Sequence, residues 1–488
     1  MSVLMRIPMI AAAMALAACA VGPDYERPAT PAASRFVRDE RLASARQEPA
    51  TASADADAAF WRGFGDPVLG HLIDQALAAN QDLRFAIARY DAANALLAHA
   101  KFDRFPTITA SGQIGHQLLS KDQAFGAPRS QRDNPTSSIG INAAWELDLF
   151  GRVRRSIESQ RAETAASAAD VRAVRVAIAG EVASTYVDLR GSQERLRIAR
   201  DNADNQKQTL ALINARVGAG RGSELDAARA RAQYESTTSR IAVYEAAIGV
   251  DEHRLAVLTG QTPDALIGRF DWPKAAVSPG TPVPMPTLAA DIDPGTPGDL
   301  LRRRPDIAAA EARLHAATAR VGVATADLFP RFTLSGLLGS ATSSYGFFRA
   351  GSDTNLIALG IDWSFLDIGR VRARIAESRA DAAGQLAQYQ QTVLLALEDT
   401  ENALLRAART RDETTHLERA ATDSARAAQL AQTRFAAGAI DYYEVLDAQR
   451  TLLQAQDAAA DGRIRSAAAT VALYKALAGG WQSTPAAG

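Results

Sequence analysis

Two acidic residues stand three apart in the run Asp441-Tyr442-Tyr443-Glu444-Val445-Leu446-Asp447. On a helix, that spacing puts the carboxylates of Glu444 and Asp447 on one face. A solvated helix face is the usual setting for such a pair. Repeated around a closed assembly, the pair would instead form rings of like charge that favour cations in an enclosed passage. The other reactive residue types form no constellation. The six histidines (His71, His99, His116, His253, His315 and His416) are scattered, with no HExxH spacing and no cysteine partner. There is no GxSxG elbow and no P-loop. Gly218-Ala219-Gly220-Arg221-Gly222 has the glycines of a phosphate loop, but it follows a helical segment rather than a strand. It reads as a turn. Nothing here points to an enzyme or to a metal.

One cysteine excludes an intrachain disulfide and any Cys-based zinc cluster. Its position gives it another use. Arg6 precedes an apolar stretch, Ile7 to Ala18, broken only by Pro8. This has the form of a secretory signal, too short to span a membrane as a stable helix. The stretch ends Leu16-Ala17-Ala18-Cys19. That ending resembles a bacterial lipobox, in which the cysteine becomes the first mature residue and carries acyl chains. The alternative is an ordinary cleavage site beside a chance cysteine. A covalent lipid on Cys19 is the one non-protein group expected, and Ala20 after it implies delivery to the outer membrane.

The elements that would position these residues are long. The chain has 488 residues, 47% of them hydrophobic but only 6% aromatic. Ala supplies about a fifth of the chain, far above ordinary usage. Lys+Arg 54 balances Asp+Glu 55, so no basic excess points to nucleic acid and no acidic excess to disorder. Past the N-terminus no apolar run is long enough for a transmembrane helix, which leaves a β-barrel open. No proline falls between Pro135 and Pro263, or between Pro330 and Pro485, whereas prolines crowd the stretch from 261 to 297. That stretch reads as a linker between two similar halves.

The halves repeat. Phe105-Pro106 and Phe329-Pro330 lie 224 apart. An offset of 218 relates Trp145 to Trp363, Gly151-Arg152-Val153-Arg154 to Gly369-Arg370-Val371-Arg372, Gly220 to Gly438 and Ala230 to Ala448. Each half reads as helices, a hairpin, a very long helix and a shorter one. The hairpins, about 107–149 and 331–367, show period-two alternation, as in Ile139, Ile141, Ala143, Trp145, Leu147 and Leu149, or Ile357, Leu359, Ile361, Trp363 and Phe365. Such segments suit tilted strands across a bilayer or a half-buried soluble sheet. Gly151 to about Val217, and Gly369 to about Ala437, have helical composition, with Gly180 and Gly191 as weak points. At 1.5 Å per residue each would extend roughly 100 Å. Domain limits follow: a signal peptide 1–18, a lipidated extended segment 19–65, repeats 66–260 and 298–480 around the linker 261–297, and a tail 481–488.

Four strands cannot close a transmembrane barrel, and an open edge in lipid leaves backbone groups unsatisfied. Several chains must then share one barrel. Two copies would give about eight strands, whose interior fills with side chains, while three would give about twelve and leave space. This favours a homotrimer. The soluble alternative is a coiled-coil envelope lipoprotein acting as a tether.

Pro23-Asp24-Tyr25, Arg27-Pro28 and the run LxxRPDIxxAExxLxxAxAxxGxAxADxFP from Leu301 to Pro330 resemble the outer-membrane efflux protein family, in its NodT-type lipoprotein branch. The resemblance covers nearly the whole mature chain. It implies an α+β membrane protein with four transmembrane β-strands per chain, closing as a trimeric 12-stranded β-barrel continued by a 12-helix periplasmic α-barrel. It implies a periplasmic membrane-fusion adaptor and an inner-membrane transporter, of RND type, as partners, with outer-membrane lipid around the barrel and no nucleic acid. The function implied is a passive exit duct of a tripartite efflux pump for drugs or other small toxic compounds. A duct for type I protein secretion is the alternative on the same fold. By the same resemblance Gly220 and Gly438 mark adaptor-docking tips, although Ala219-Gly220-Arg221 and Ala437-Gly438-Ala439 depart from the family's Val-Gly-small triplet. Glu444 and Asp447 would line the periplasmic aperture. Trp145 and Trp363 are expected at the membrane interface.

Overall fold

The computed structural model describes residues 20–29, 34–37, 60–270, 283–286 and 295–477. The expected signal peptide, Cys19, much of the Pro-rich linker and the tail from 481 lie outside the described residues. In chain order the described elements are α1 (Pro67–Ala79), α2 (Gln81–Phe102), β1 (Thr107–Leu118), the single turn α3 (Arg129–Arg132), β2 (Asp133–Leu147), α4 (Arg152–Gly218) and α5 (Glu224–Leu258). Then follow α6 (Pro297–Arg303), α7 (Pro305–Ala326), β3 (Arg331–Thr342), β4 (Asp353–Asp362), α8 (Ile368–Ala436) and α9 (Tyr442–Ala476). Among the described residues no helix is long and apolar enough to cross a membrane.

Two compact units emerge, and neither coincides with a repeat. Of the described residues, one comprises those up to Ala29 with Ala88–Ala169 and Ala308–Gln391; the other comprises those within Thr30–Ile87, Asp170–Ile307 and from Thr392 onward. Each unit draws on both repeats, because the long helices α4 and α8 contribute to both.

The first unit holds one antiparallel sheet in the order β1-β2-β3-β4. The hairpin of each repeat is therefore joined to the other through β2 and β3, with Ile141 opposite Leu338 and Trp145 opposite Leu334. Gly140 and Gly339 face each other at this seam. A Cβ on Gly339 would come within 2.4 Å of the Ile139 carbonyl oxygen, so the two strands meet only because that side chain is missing. β1 and β4 are the free edges. Large apolar side chains stand in the open along the sheet, with Ile108 69%, Leu338 69% and Ile357 84% exposed.

The strands end slightly earlier than the alternation suggests. β2 stops at Leu147 because the Asp148 carboxylate turns to accept from Val153 N and Arg154 N, capping α4. β4 stops at Asp362, so Trp363 and Phe365 are not strand residues; Phe365–Asp367 is a 3₁₀ turn leading into α8. Below the sheet the repeats pack alike. Leu97, Ala100, Val153 and Ile157 form one apolar cluster, and Ala324, Val371 and Ile375 form its counterpart.

The N-terminal segment is strapped onto this unit. Val21 N donates to Phe150 O. Gly22 (φ +94°) passes so close to Gly322 that a Cβ would lie 2.5 Å from its Cα. Asp24 pairs with Arg155 at 2.5 Å, Arg27 with Glu311 at 2.7 Å, and Tyr25 stacks on His315 at 4.4 Å.

In the second unit α4 runs unbroken through Gly180 and Gly191, the expected weak points. Both are sites of close approach. A Cβ on Gly191 would lie 2.3 Å from Ile464 Cδ1, and one on Gly180 would press on Lys475. Small residues here let α4 and α9 come together, which accounts for part of the alanine and glycine content. Arg195 holds Asp457 with two hydrogen bonds across this contact, at 2.8 and 3.0 Å. Arg304 of the Arg-Pro-Asp run pairs with Asp306 and donates to Ala476 O at 3.1 Å, tying α9 to the start of α7.

Candidate functional site

The turns after the two longest helices are built alike. At the end of α4, Gly220 N donates to Val217 O and Arg221 N to Arg216 O, each at 2.9 Å. At the end of α8, Gly438 N donates to Phe435 O at 3.0 Å and Ala439 N to Arg434 O at 2.9 Å. This pair of bonds closes a helix when the residue past the cap is left-handed. Gly220 has φ +70° and Gly438 +74°. Glycine is required at both because an L side chain there clashes with its own carbonyl.

The two turns belong to one packed tip. Ile213, Ala227, Ala230, Phe435, Tyr442, Val445 and Leu446 share a buried apolar cluster. The Arg216 guanidinium lies over the Phe435 ring, 4.3 Å from its centroid. Glu444 and Asp447 fall on the exposed side of α9, while Val445 and Leu446 between them point into the cluster. The expected shared face thus exists and is open. Burial, with Asp226 nearby, pushes the Tyr442 hydroxyl up to about 12, so it stays protonated at any physiological pH.

Sequence reading missed a second charged pair at this tip. Asp226 and Arg229 occupy on α5 the places that Glu444 and Asp447 occupy on α9, at the offset of 218. They lie 3.9 Å apart, and Arg229 also covers the Tyr443 ring at 5.6 Å. The repeat offset was signal enough to find them. Away from the tip, Asp251 is pushed up to about 7, first by burial and then by the charge of Asp188.

Trp145 and Trp363 lie in the first unit, apart in sequence and in unit from the tip residues. Each indole makes the same bond in its own repeat: Trp145 Nε1 donates to Arg104 O and Trp363 Nε1 to Leu328 O, both at 3.0 Å. Trp363 is 51% exposed. No group of three or more His, Cys, Asp or Glu among the described residues could hold a metal ion.

The model of a family described as outer membrane efflux protein matches residues 72–261 and 296–479. The outer membrane protein OprJ of Pseudomonas aeruginosa is 33% identical over 485 residues, covering 96% of this chain and 94% of its own. The solvent efflux pump outer membrane protein SrpC of Pseudomonas putida is 32% identical, covering 97% of this chain and 98% of its own. Among solved structures, the outer-membrane channel OprN superposes with a TM-score of 0.84 at 38% identity, over 95% of this chain and 100% of that one.

Proposed function

The chain belongs to the outer membrane efflux protein family, and from that premise we propose that it serves as the exit duct of a tripartite efflux pump. Its fold is that of the outer-membrane channels, and its place is the outer membrane. The observation that carries the proposal is the sheet. Four strands with apolar side chains in the open and two unpaired edges are stable in lipid only if β4 of one chain pairs with β1 of another.

Three chains then close a barrel of about twelve strands wide enough to conduct. The long helices of three chains continue it as a periplasmic tunnel. Cys19 carries the lipid, and the strap from Val21 to Arg27 holds the acylated end beside the strands. The Gly220 and Gly438 turns receive a periplasmic adaptor, which links the duct to an inner-membrane transporter of RND type. Glu444 and Asp447 line the tunnel's periplasmic aperture, and Trp145 and Trp363 lie at the interface of the barrel with the outer membrane. Passage is passive. The cargo is drugs or other small toxic compounds, in keeping with the solvent efflux in which SrpC takes part.

The test is planar-bilayer recording on the purified lipoprotein, with its mass measured in detergent. A homotrimer giving discrete, voltage-tolerant conductance steps supports the duct. A protein that inserts without conducting is a tether, and the proposal fails.

A further inference from the structure

The contact between α4 and α9 is apolar at two levels and polar between them. On one side lie Ile198, Leu453 and Ala460. On the other lies the tip cluster with Ile213, Val445 and Leu446. Beside the first of these, Asn202 Nδ2 donates to Gln456 Oε1 at 2.8 Å, which fixes the register of the antiparallel helices at that point. One turn further along α4 comes Gln206. Two turns back along α9 comes Gln449. Both continue the faces that carry Asn202 and Gln456, since steps of four and seven residues preserve a helix face. The two steps advance about 6 and 10 Å toward the tip, so the two glutamines lie within one helical turn of the same level.

Gln206 is 4% exposed and Gln449 5%. The Nε2 and Oε1 atoms of both are buried with no hydrogen-bond partner, as is Thr238 Oγ1 on α5. A buried amide without partners opposes the conformation that contains it, and a core position normally avoids one. Two buried glutamines within a turn of the same level, all four polar atoms unmet, near a satisfied Asn–Gln pair, form an interruption rather than a fastening.

We propose that the Gln206–Gln449 layer is a built-in slip plane, at which the tip portion of α9 shifts against α4 while the contacts from Asn202 away from the tip stay fixed. The proposal rests on the duct reading only for its consequence, that the shift opens the passage. In this register the amides are unmet, so it is held weakly. A shift of a fraction of a turn, or entry of water, gives them partners.

The test replaces the amides with apolar groups of similar size in the full-length lipidated protein. Gln206→Leu/Gln449→Leu removes the unmet atoms and should lock the register. Hydrogen–deuterium exchange across residues 207–238 and 429–448 should slow about tenfold, while exchange on the side of Asn202 away from the tip stays unchanged. The thermal midpoint should rise, and channel openings in planar bilayers should become several-fold rarer. Unchanged tip exchange in a folded variant overturns the slip plane. So does slowing spread evenly along both helices. If the wild-type protein never conducts, the duct reading fails, and the exchange arm still decides whether the plane exists. Should the double variant not assemble, Gln449→Met alone is read the same way, at smaller amplitude.

Discussion

The two tips share a backbone and differ in charge. Both turns close with the same two hydrogen bonds around a left-handed glycine. Past the turn, the first repeat places Asp226 beside Arg229, whereas the second places Glu444 and Asp447 on an open face. The same inversion recurs further along the helices. Asp188 and Asp251 of the first repeat correspond to Arg406 and Ala469 of the second. Backbone geometry is therefore the common requirement, met twice by the same means. Charge is where the repeats were free to diverge: Asp226 of the first tip has Arg229 beside it, while Glu444 of the second has the acidic Asp447 at that place.

The largest expected effect tests the shared part. Gly220→Val and Gly438→Val each force a β-branched residue into the left-handed region and should lose roughly 1–2 kcal/mol. Thermal melts of the two variants should agree closely; a wide gap would break the equivalence of the turns.

Next comes the inverted pair along the helices. Asp251 has its carboxyl pushed up to about 7, so the fold favours the protonated form. Its stabilising contribution is full below about pH 4, the unfolded value, and is lost as pH rises through 7. Asp251→Asn should therefore raise stability at pH 8 by about 1–2 kcal/mol, after allowing for solvent screening, and leave it unchanged at pH 4. An equal gain at both pH values would refute the assignment. In the second repeat Ala469→Asn should show no such pH dependence.

The indole bonds come third. Trp145→Phe and Trp363→Phe each remove one donor, leaving a carbonyl to find another partner, and should cost about 0.5–1.5 kcal/mol each in denaturant titrations. A marked difference between them would show that one tryptophan serves the membrane boundary more than the fold.

The smallest effect sharpens the charge contrast itself. Asp447→Ala should raise single-channel conductance or weaken cation block by about twofold. Asp226→Ala should leave both nearly unchanged, because Arg229 already offsets that charge. Equal responses would place the acidic faces of both repeats on the passage.

Much of this was legible in the residues. The 218 offset located both glycine turns, and it aligned α5 with α9 end to end, since both span 35 residues. Helix ends were readable because caps are local. Other features were not. The joining of the hairpins through β2 and β3 depends on a pairing across some 200 residues, which period-two alternation cannot specify. The strap was visible only as a motif; that Tyr25 stacks on His315 and Asp24 meets Arg155 follows from tertiary contact alone. Gln206 and Gln449 look like ordinary polar helix positions until their burial is known.

The β2–β3 seam has a historical consequence. It joins the last strand of one repeat to the first strand of the next, the same junction that the proposed trimer needs between β4 and β1 of neighbouring chains. A half-length ancestor carrying one hairpin and one helix pair could have closed the same ring as six identical copies. Duplication and fusion would have turned half of those junctions from encounters between molecules into permanent neighbours, and left the second copy free to drift in charge.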